Sequence, residues 1–290
     1  MTTKTAAFVT MTALAVALAA GAPLSAQWLQ YRDPAVPRTK DGKADLSAPT
    51  PRTPDGRPDL SGVWMHELTS AAEIRRLFGP TIDERRKVDV PGMEIGTQHK
   101  YAFNVLLDYN EADMLRPAAR ERMRLRAQDR EPASLCFRQP GSLFIRNDLL
   151  SEAIKIVQSP RMTMILYEAG DLHRQIHTDG RSLPKEFEFP AYLGYSVARW
   201  DRDTLVVETA GFNDKTVLDG EGHLHSERLR VIERYTRRDF GHLDIQTTFD
   251  DPETYTKPFT INVPHDLLPD TDIFESFCEN EKDGEHLGRR

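Results

Sequence analysis

The chain lacks the motifs that mark several common classes of protein. A Gly-rich phosphate loop, a GxSxG nucleophile elbow and an HExxH metal motif are all missing. Their absence argues against P-loop nucleotide binding, serine hydrolysis on an α/β-hydrolase fold and zincin-type proteolysis. The net charge is -7, whereas a nucleic-acid partner requires a clustered basic face. We therefore expect neither a nucleic-acid partner nor a cofactor.

Cysteine is also scarce, with only Cys136 and Cys278 in 290 residues. They lie on either side of a strand-rich stretch, and in an exported protein an even count favours a disulfide. Two buried free thiols are the alternative. The wide separation of the two cysteines argues against a metal site built from them alone.

Long apolar runs are confined to the N-terminus. Residues 6–20 are apolar and follow Lys4, and Leu24-Ser25-Ala26 forms a small-residue cleavage site before Gln27. The run is shorter than the roughly 20 residues that a membrane-spanning helix needs. The pattern predicts a signal peptide over residues 1–26, a periplasmic or secreted protein, and no membrane span after removal of the signal.

Residues 153–263 alternate short strand-like segments with turn sequences such as AGD, DGR, DRD and GFND. Gly, Asp and Asn tolerate the dihedral angles of turns. Closely spaced strands with few helical interruptions favour antiparallel pairing. We predict an all-β fold, a closed or nearly closed antiparallel barrel of eight to ten strands. One of the predicted strands covers residues 223–237, and another covers residues 273–277.

The chain before the barrel contains an internal repeat. PRTKDGKADLS (residues 37–47) is followed by PRTPDGRPDLS (residues 51–61), and this density of Pro and Gly opposes regular structure. We predict an extended strap over residues 27–61, then one barrel domain over residues 62–290 with a helical insertion at residues 70–130. Ser70 and Glu73 have the spacing of a capping box. A second helix over residues 110–129 is expected to break at Pro117.

Alternation of side chains along a strand groups the candidate catalytic residues. In the predicted strand at residues 223–237, His225, Glu227 and Glu233 share a face with two apolar residues, whereas the other face is rich in Arg. The first face should point inward, where a charge must be paired or functional. We predict an acid–base site with His225 as the proton-transfer group and Glu227, Glu233 or Asp179 as its partner.

Two other interpretations of these residues stay open. Imidazoles at two- or four-residue spacing share a strand face, so His173, His177, His223 and His225 are a candidate metal set. The Glu that a cupin-type HxH start requires is absent, however, and we predict no metal ligand. The other interpretation is that these groups are exposed at the barrel mouth or paired with Arg.

Six residues are candidate ligand contacts. The guanidinium of Arg181 suits a carboxylate, although Asp179-Gly180-Arg181 also fits a hairpin turn. Trp200 precedes a turn and also fits a plug at the end of the barrel. The full predicted set is Arg181, Trp200, Tyr195, Asn213, His173 and His177.

Several segments together resemble an uncharacterised family of exported bacterial proteins. They are PRTPDGRPDLSGVW, RQIHTDGR, VARWDRDTLVVETAGFND, HSERLRVIERY, DDPETYTKP and FCEN. The resemblance spans nearly all of the chain after residue 26 and implies export, but no settled activity. His173 and His177 replace residues that are often aromatic in the family, which weakens the metal interpretation. The positions that match, and are implied as a shared site, are His225, Glu227, Asp179, Arg181, Trp200, Asn213, Glu233 and Arg234.

Gly62-Val63-Trp64 resembles the GxW that opens lipocalin-type barrels. This similarity implies an up-and-down barrel that holds a small apolar ligand inside. The long segment between Trp64 and Ala153 departs from that plan, because the second strand should follow soon after the first.

Three functions follow as hypotheses. The first is an exported barrel that binds a small apolar or aromatic molecule, with or without acid–base chemistry of lyase, isomerase or hydratase type. The second is a non-catalytic envelope protein that docks a partner, and the third is a His-based metalloenzyme. A lined cavity of several hundred Å³ would favour ligand binding, whereas a packed barrel with an exposed apolar patch would favour docking.

Overall fold

The computed structural model describes residues 32–82, 99–128, 153–168 and 172–274. Within them, nine strands form one closed barrel in sequence order, and β9 pairs with β1 to close it. The strands are β1 (Gly62–His66), β2 (Ile154–Gln158), β3 (Met162–Tyr167), β4 (Leu172–His177), β5 (Tyr195–Asp201), β6 (Thr204–Ala210), β7 (Arg230–Arg237), β8 (His242–Asp250) and β9 (Phe259–Leu267). The prediction of an all-β barrel of eight to ten strands is confirmed.

One pair of neighbouring strands departs from the predicted antiparallel pattern. β4 and β5 run parallel and share only two residue pairs, Ile176 with Ser196 and His177 with Val197. A parallel connection must return the chain along the strand before pairing can start. Residues 178–194 make this return over the protein surface, where most of their side chains are exposed or half-buried.

Four short helices accompany the barrel in the described ranges: α1 (Ala71–Phe78), α2 (Lys100–Phe103), α3 (Glu111–Met114) and α4 (Pro117–Gln128). The Ser70 hydroxyl accepts the Glu73 N–H at 3.2 Å, as the capping spacing predicts. The second predicted helix is indeed interrupted before Pro117. The structure adds α2, a single-turn helix within the predicted helical insertion. None of the helices described combines the length and apolar character needed to cross a bilayer.

Two apolar clusters fill opposite ends of the barrel. The strap-end cluster joins strap residues to inward side chains of the strands, and includes Val36, Leu60, Trp64, Tyr235, Ile245 and Leu267. The helix-end cluster joins the segment at residues 101–119 to the other end, and includes Tyr101, Leu106, Val231, Phe249, Ile261 and Val263. Each end is thus closed by chain outside the barrel.

The two sequence repeats of the strap form the same structure. In each copy the glycine N–H donates to the threonine carbonyl three residues earlier, Gly42 to Thr39 and Gly56 to Thr53, and both glycines have left-handed φ angles, 82° and 83°. The Arg of each copy clamps a barrel carboxylate, Arg38 on Asp270 and Arg52 on Asp203. The strap is therefore a pair of equivalent hairpins tied to the barrel.

Trp64 of the GxW motif belongs to the closed strap end. Its indole N–H donates to Leu60 O at 3.0 Å, and the guanidinium carbon of Arg237 lies 4.8 Å from its ring centroid. Arg237 also donates to Asp59 O at 2.6 Å. Burial lowers the pKa of Arg237 to about 10, so the guanidinium remains charged at neutral pH while it joins strap to strand.

The long strand predicted at residues 223–237 is wrong in its first half, because β7 begins only at Arg230. The amide and hydroxyl of Ser226 donate to Asp251 at 2.6 and 2.7 Å, and a turn follows at Glu227 and Arg228. Ile273 and Phe274 are not in a strand. The rest of that predicted strand, the signal peptide, Cys136 and Cys278 lie outside the described residues.

Candidate functional site

The predicted proton-transfer group, His225, is buried and hydrogen-bonded on both ring nitrogens. Its Nδ1 lies 3.0 Å from Ser226 O, and its Nε2 lies 2.6 Å from Thr216 Oγ1. Because a carbonyl only accepts, Nδ1 carries a proton, and Nε2 shares a hydrogen bond with the Thr216 hydroxyl. This arrangement holds the imidazole between two loop residues.

The other predicted catalytic residues are not brought to His225. Glu227 is exposed in the turn before β7, contrary to the inward position expected of it. Asp179 binds Arg181, whose Nε and Nη2 donate at 2.9 and 2.8 Å. The hydrogen bonds from Arg181 lower the pKa of Asp179 to about 2. The guanidinium that was expected to hold a ligand is therefore occupied by its neighbour in the turn.

Glu233 is the only predicted catalytic residue that points into the barrel, and it pairs there with Arg174. Arg174 donates to both carboxylate oxygens of Glu233, to Ser196 Oγ at 2.9 Å and to Thr209 Oγ1 at 2.6 Å. Burial opposes the charge on Arg174, but the attraction of Glu233 outweighs it and raises the pKa of Arg174 well above its usual value. Tyr235 also donates to Glu233 at 2.9 Å.

These groups belong to a polar layer at the waist of the barrel. On β7, β8 and β9 one inward polar residue, respectively Glu233, Thr247 and His265, separates members of the two apolar clusters. His66 adjoins His265, with ring centroids 6.4 Å apart, and His99 adjoins His66, with ring centroids 5.9 Å apart. All are buried, so the layer is enclosed by the packed ends of the barrel.

The sequence missed Arg174, although a signal was present. Arg174 alternates with Leu172 and Ile176 on the inward face of β4, and a charged residue on such a face must be paired. The opposite face of β4 carries His173, which is exposed, and His177, which is partly exposed. These two predicted ligand contacts therefore lie on the outer wall.

Trp200 and Asn213 have structural partners. Trp200 packs against the strap-end cluster, and the guanidinium carbon of Arg57 lies 5.9 Å from its ring centroid. This position agrees with a plug at the barrel end. The side-chain oxygen of Asn213 accepts the Lys215 N–H at 3.1 Å, and its own N–H donates to Ala191 O at 2.9 Å.

A buried histidine–carboxylate pair, Asp219 and His223, lies in the loop before β7. His223 Nδ1 is 2.6 Å from Asp219 Oδ2, and the Val105 N–H also donates to this carboxylate at 2.7 Å. Glu111 at the start of α3 lies 3.7 Å from His223 Nε2. Burial alone would lower the pKa of His223, but the charge and hydrogen bond of Asp219, with Glu111, raise it to about 10. The imidazolium is thus a buried cation that joins the helical segment to the loop.

The geometry of the described residues does not support a metal centre. There, no group of three or more His, Cys, Asp or Glu side chains is placed to hold a metal ion. A groove of about 370 Å³ lies on the outer wall of β7, β8 and β9. Its Arg234 pairs with Asp201, and its Gln246 donates to Asn262 at 3.0 Å, so these polar groups already have partners.

Exposed aromatic residues are concentrated in the return segment between β4 and β5. Phe189 is 71% exposed, Tyr192 38% and Tyr195 44%. Phe187 stacks on Tyr195 with ring centroids 5.7 Å apart and planes 18° apart. We call Phe187, Phe189, Tyr192 and Tyr195 the aromatic surface. Only Tyr195 was predicted as a ligand contact, although the run FEFPAY in a turn-rich segment was a visible signal.

The aromatic surface is fixed to the barrel. The Tyr195 hydroxyl donates to Phe189 O at 2.8 Å, and Ala191 N donates to Gly211 O at 2.9 Å. Phe187 fills the space beside Gly211 that a Cβ would occupy. Asn213 holds Ala191 from the other side, as described above. The rings are therefore exposed although the backbone that carries them is well anchored.

Comparisons with known proteins add no relative. No protein-family model matches the chain, no curated protein is significantly similar to it, and no solved structure matches it.

Proposed function

We propose that the protein is an exported binding protein that uses the barrel as a scaffold and the aromatic surface to bind an apolar or aromatic group. The observation that carries this proposal is the exposure of Phe189, Tyr192 and Tyr195 together in one anchored segment. Aromatic side chains contribute large contact areas at little entropic cost, and soluble proteins rarely expose several of them together without a ligand.

The packed ends of the barrel and the exposed aromatic residues match the pattern expected of docking through the outer surface rather than of a ligand held inside, so we propose an external site. Apolar side chains occupy both ends of the barrel, and the Arg174–Glu233 pair occupies its waist. A ligand inside would have to displace these contacts, whereas a ligand at the aromatic surface displaces only water. The acid–base hypothesis receives less support, because His225, Glu227, Glu233 and Asp179 lie in different surroundings.

Titration with the neutral fluorescent probe N-phenyl-1-naphthylamine tests this site. Phe189→Ser and Tyr192→Ser should each weaken probe binding by roughly fivefold, since one aromatic contact is worth about 1 kcal/mol. Both side chains are exposed, so the unfolding free energy should change by less than about 0.5 kcal/mol.

Val157→Ser is the matched control, because Val157 is 43% exposed on the outer wall at β2, outside the aromatic segment. It should leave probe binding unchanged. Equal weakening by all three substitutions, or no saturable binding of the probe to the unaltered protein, would refute the proposed site.

A further inference from the structure

The charges around the aromatic surface indicate which ligands it can accept. Residues 179–195 carry three carboxylates and two cationic side chains. Asp179 is neutralised by its hydrogen bonds with Arg181 and also lies 3.7 Å from the exposed guanidinium of Arg161. Glu186 and Glu188 remain, and they alternate with Phe187 and Phe189. Both are exposed, and in the part of the chain that the structure describes neither forms an ion pair.

Aromatic rings and carboxylates favour the same kind of ligand. The face of an aromatic ring is electronegative and attracts cations, most strongly when the cation also carries apolar groups that lose water on contact. Glu186 and Glu188 are sequence neighbours of these rings and outnumber Lys185, so they add Coulombic attraction for cations. An anionic ligand would meet repulsion from Glu186 and Glu188, with only Lys185 to oppose it within that run.

The structure also limits how an anion could be held. The guanidinium of Arg181 already donates to Asp179 through Nε and Nη2, so an anionic ligand would have to compete with that carboxylate for the fork. The Tyr195 hydroxyl donates to Phe189 O, which leaves its ring, rather than its O–H, as the part offered to a ligand. The groups that this segment offers are the ring surfaces, the two carboxylates and the single ammonium of Lys185.

We propose that the aromatic surface binds an organic cation, an amine or quaternary ammonium with apolar substituents, through the rings of Phe189, Tyr192 and Tyr195 and the carboxylates of Glu186 and Glu188. This inference rests on the proposed function, because it names the ligand class of the same site. It excludes anionic amphiphiles and anionic lipid surfaces as preferred partners.

Competition between charged and neutral analogues tests the proposal. N-Phenyl-1-naphthylamine bound to the full chain is displaced with phenyltrimethylammonium, with the neutral near-isostere N,N-dimethylaniline, or with the anion benzenesulfonate, at mildly alkaline pH. The cation should bind about three- to thirtyfold more tightly than the neutral analogue, the range expected for a cation over aromatic rings. Benzenesulfonate should displace the probe least.

Charge variants separate the carboxylates from the rings. Glu186→Gln combined with Glu188→Gln should weaken phenyltrimethylammonium binding several-fold and leave N,N-dimethylaniline unchanged. Added salt should reduce the advantage of the cation in the unaltered protein, because it screens exposed charges. Glu253→Gln is the control, since Glu253 is an exposed carboxylate after β8, outside this segment.

The outcomes distinguish the two proposals. If the neutral probe binds at the aromatic surface but the cation has no advantage over N,N-dimethylaniline, the organic-cation proposal is wrong and the proposed function stands. Stronger displacement by benzenesulfonate would have the same meaning. If the probe fails to bind the unaltered protein, both proposals are wrong.

Discussion

His223 shows how one residue can connect two parts of the fold through its charge. Its ring is fully buried between Asp219 of its own loop and Glu111 of α3. Its pKa of about 10 is far above the usual value of 6.5, so it is cationic at neutral pH. A group that holds its proton so firmly is a poor general base near neutrality, and we assign it a structural role.

The stability that His223 contributes should depend on pH. Because the folded-state pKa is raised, the contribution is complete below about pH 6.5 and is lost as the pH rises through about 10. His223→Gln removes the charge, so the difference in unfolding free energy between wild type and variant should shrink between pH 6 and pH 9.5. We expect this difference to decrease by more than about 1.4 kcal/mol, which is the free energy equivalent to one pKa unit. Urea unfolding at both pH values measures it.

His173→Gln is the control for the pH experiment, because His173 is exposed on the outer wall of β4. Its effect should be small and should not vary over the same pH range. A wild-type advantage over His223→Gln that stays constant or grows as the pH rises would contradict a raised pKa at His223.

At the scale of elements, the strap hairpins are the clearest case of sequence determining local structure. Two near-identical segments adopt the same turn, with the backbone N–H groups of Thr39 and Thr53 each donating, at 2.9 Å, to the carbonyl four residues later. Each places Gly where φ is positive. The environments differ, yet the local geometry is the same, so the local sequence outweighs the surroundings.

Equal glycine substitutions in the two hairpins should therefore have equal costs. Gly42→Ala and Gly56→Ala each force a non-Gly residue into the left-handed region, at about 1–2 kcal/mol. A Cβ at Gly42 would lie 3.7 Å from Arg32, and a Cβ at Gly56 would have no atom within 4 Å. Steric clashes therefore add nothing to the cost of either substitution. Thermal unfolding of both single variants and of the double variant measures the costs, which should add.

Asn tolerates the left-handed region better than Ala, so Gly42→Asn and Gly56→Asn should each cost less than the Ala variants. If one hairpin loses several times more stability than the other, the two copies are not energetically equivalent and this view of the strap is wrong.

Strand periodicity made most of the barrel predictable, because a two-residue repeat directly encodes an inward and an outward face. The alternation on β7 correctly placed Glu233 inward and Arg234 outward. It failed at residues 223–229, where Asp251 holds Ser226 in a turn that contains neither Gly nor Pro. That contact joins residues 25 apart in the chain, and local patterns do not contain it.

The candidate site was less predictable for the same reason. Tyr195 and Asn213 were expected near a ligand, and they lie in or beside the aromatic surface. The position of Phe187 is set by its contact with Gly211. This contact can be predicted only if β4 and β5 are known to be parallel. Arg174 and Glu233 lie on separate strands, so their pairing needed the topology as well.

At the scale of the whole molecule, the parallel β4–β5 seam explains both the buried charge and the external site. The seam has two residue pairs, whereas β7 and β8 share eight. Arg174 of β4 reaches across it to Ser196 of β5 and onward to Glu233 of β7. The same parallel order requires the long return segment that carries the aromatic surface, so the shortest strand pairing of the barrel also positions the residues of the proposed binding site.

The Arg174–Glu233 pair should hold the seam closed. Arg174→Met and Glu233→Leu each leave one buried charge without its partner and should each cost about 3–5 kcal/mol, whereas the double substitution should cost less than the two added together. Urea unfolding measures these costs, and amide hydrogen exchange at Ser196 and Val197 should quicken in the single variants because the seam opens locally.

Arg234→Met tests whether burial, rather than charge alone, is responsible. Arg234 follows Glu233 on β7 but faces outward, and it pairs with Asp201 at 3.1 Å with both side chains about half exposed. Exposed pairs are worth less than about 1 kcal/mol, so this variant should unfold nearly as wild type does and leave exchange at the seam unchanged. Two results would contradict this view: equal losses of unfolding free energy in Arg174→Met and Arg234→Met, or unchanged amide exchange at the seam in Arg174→Met. Either result would mean that the backbone pairs alone, and not the buried ion pair, keep β4 beside β5.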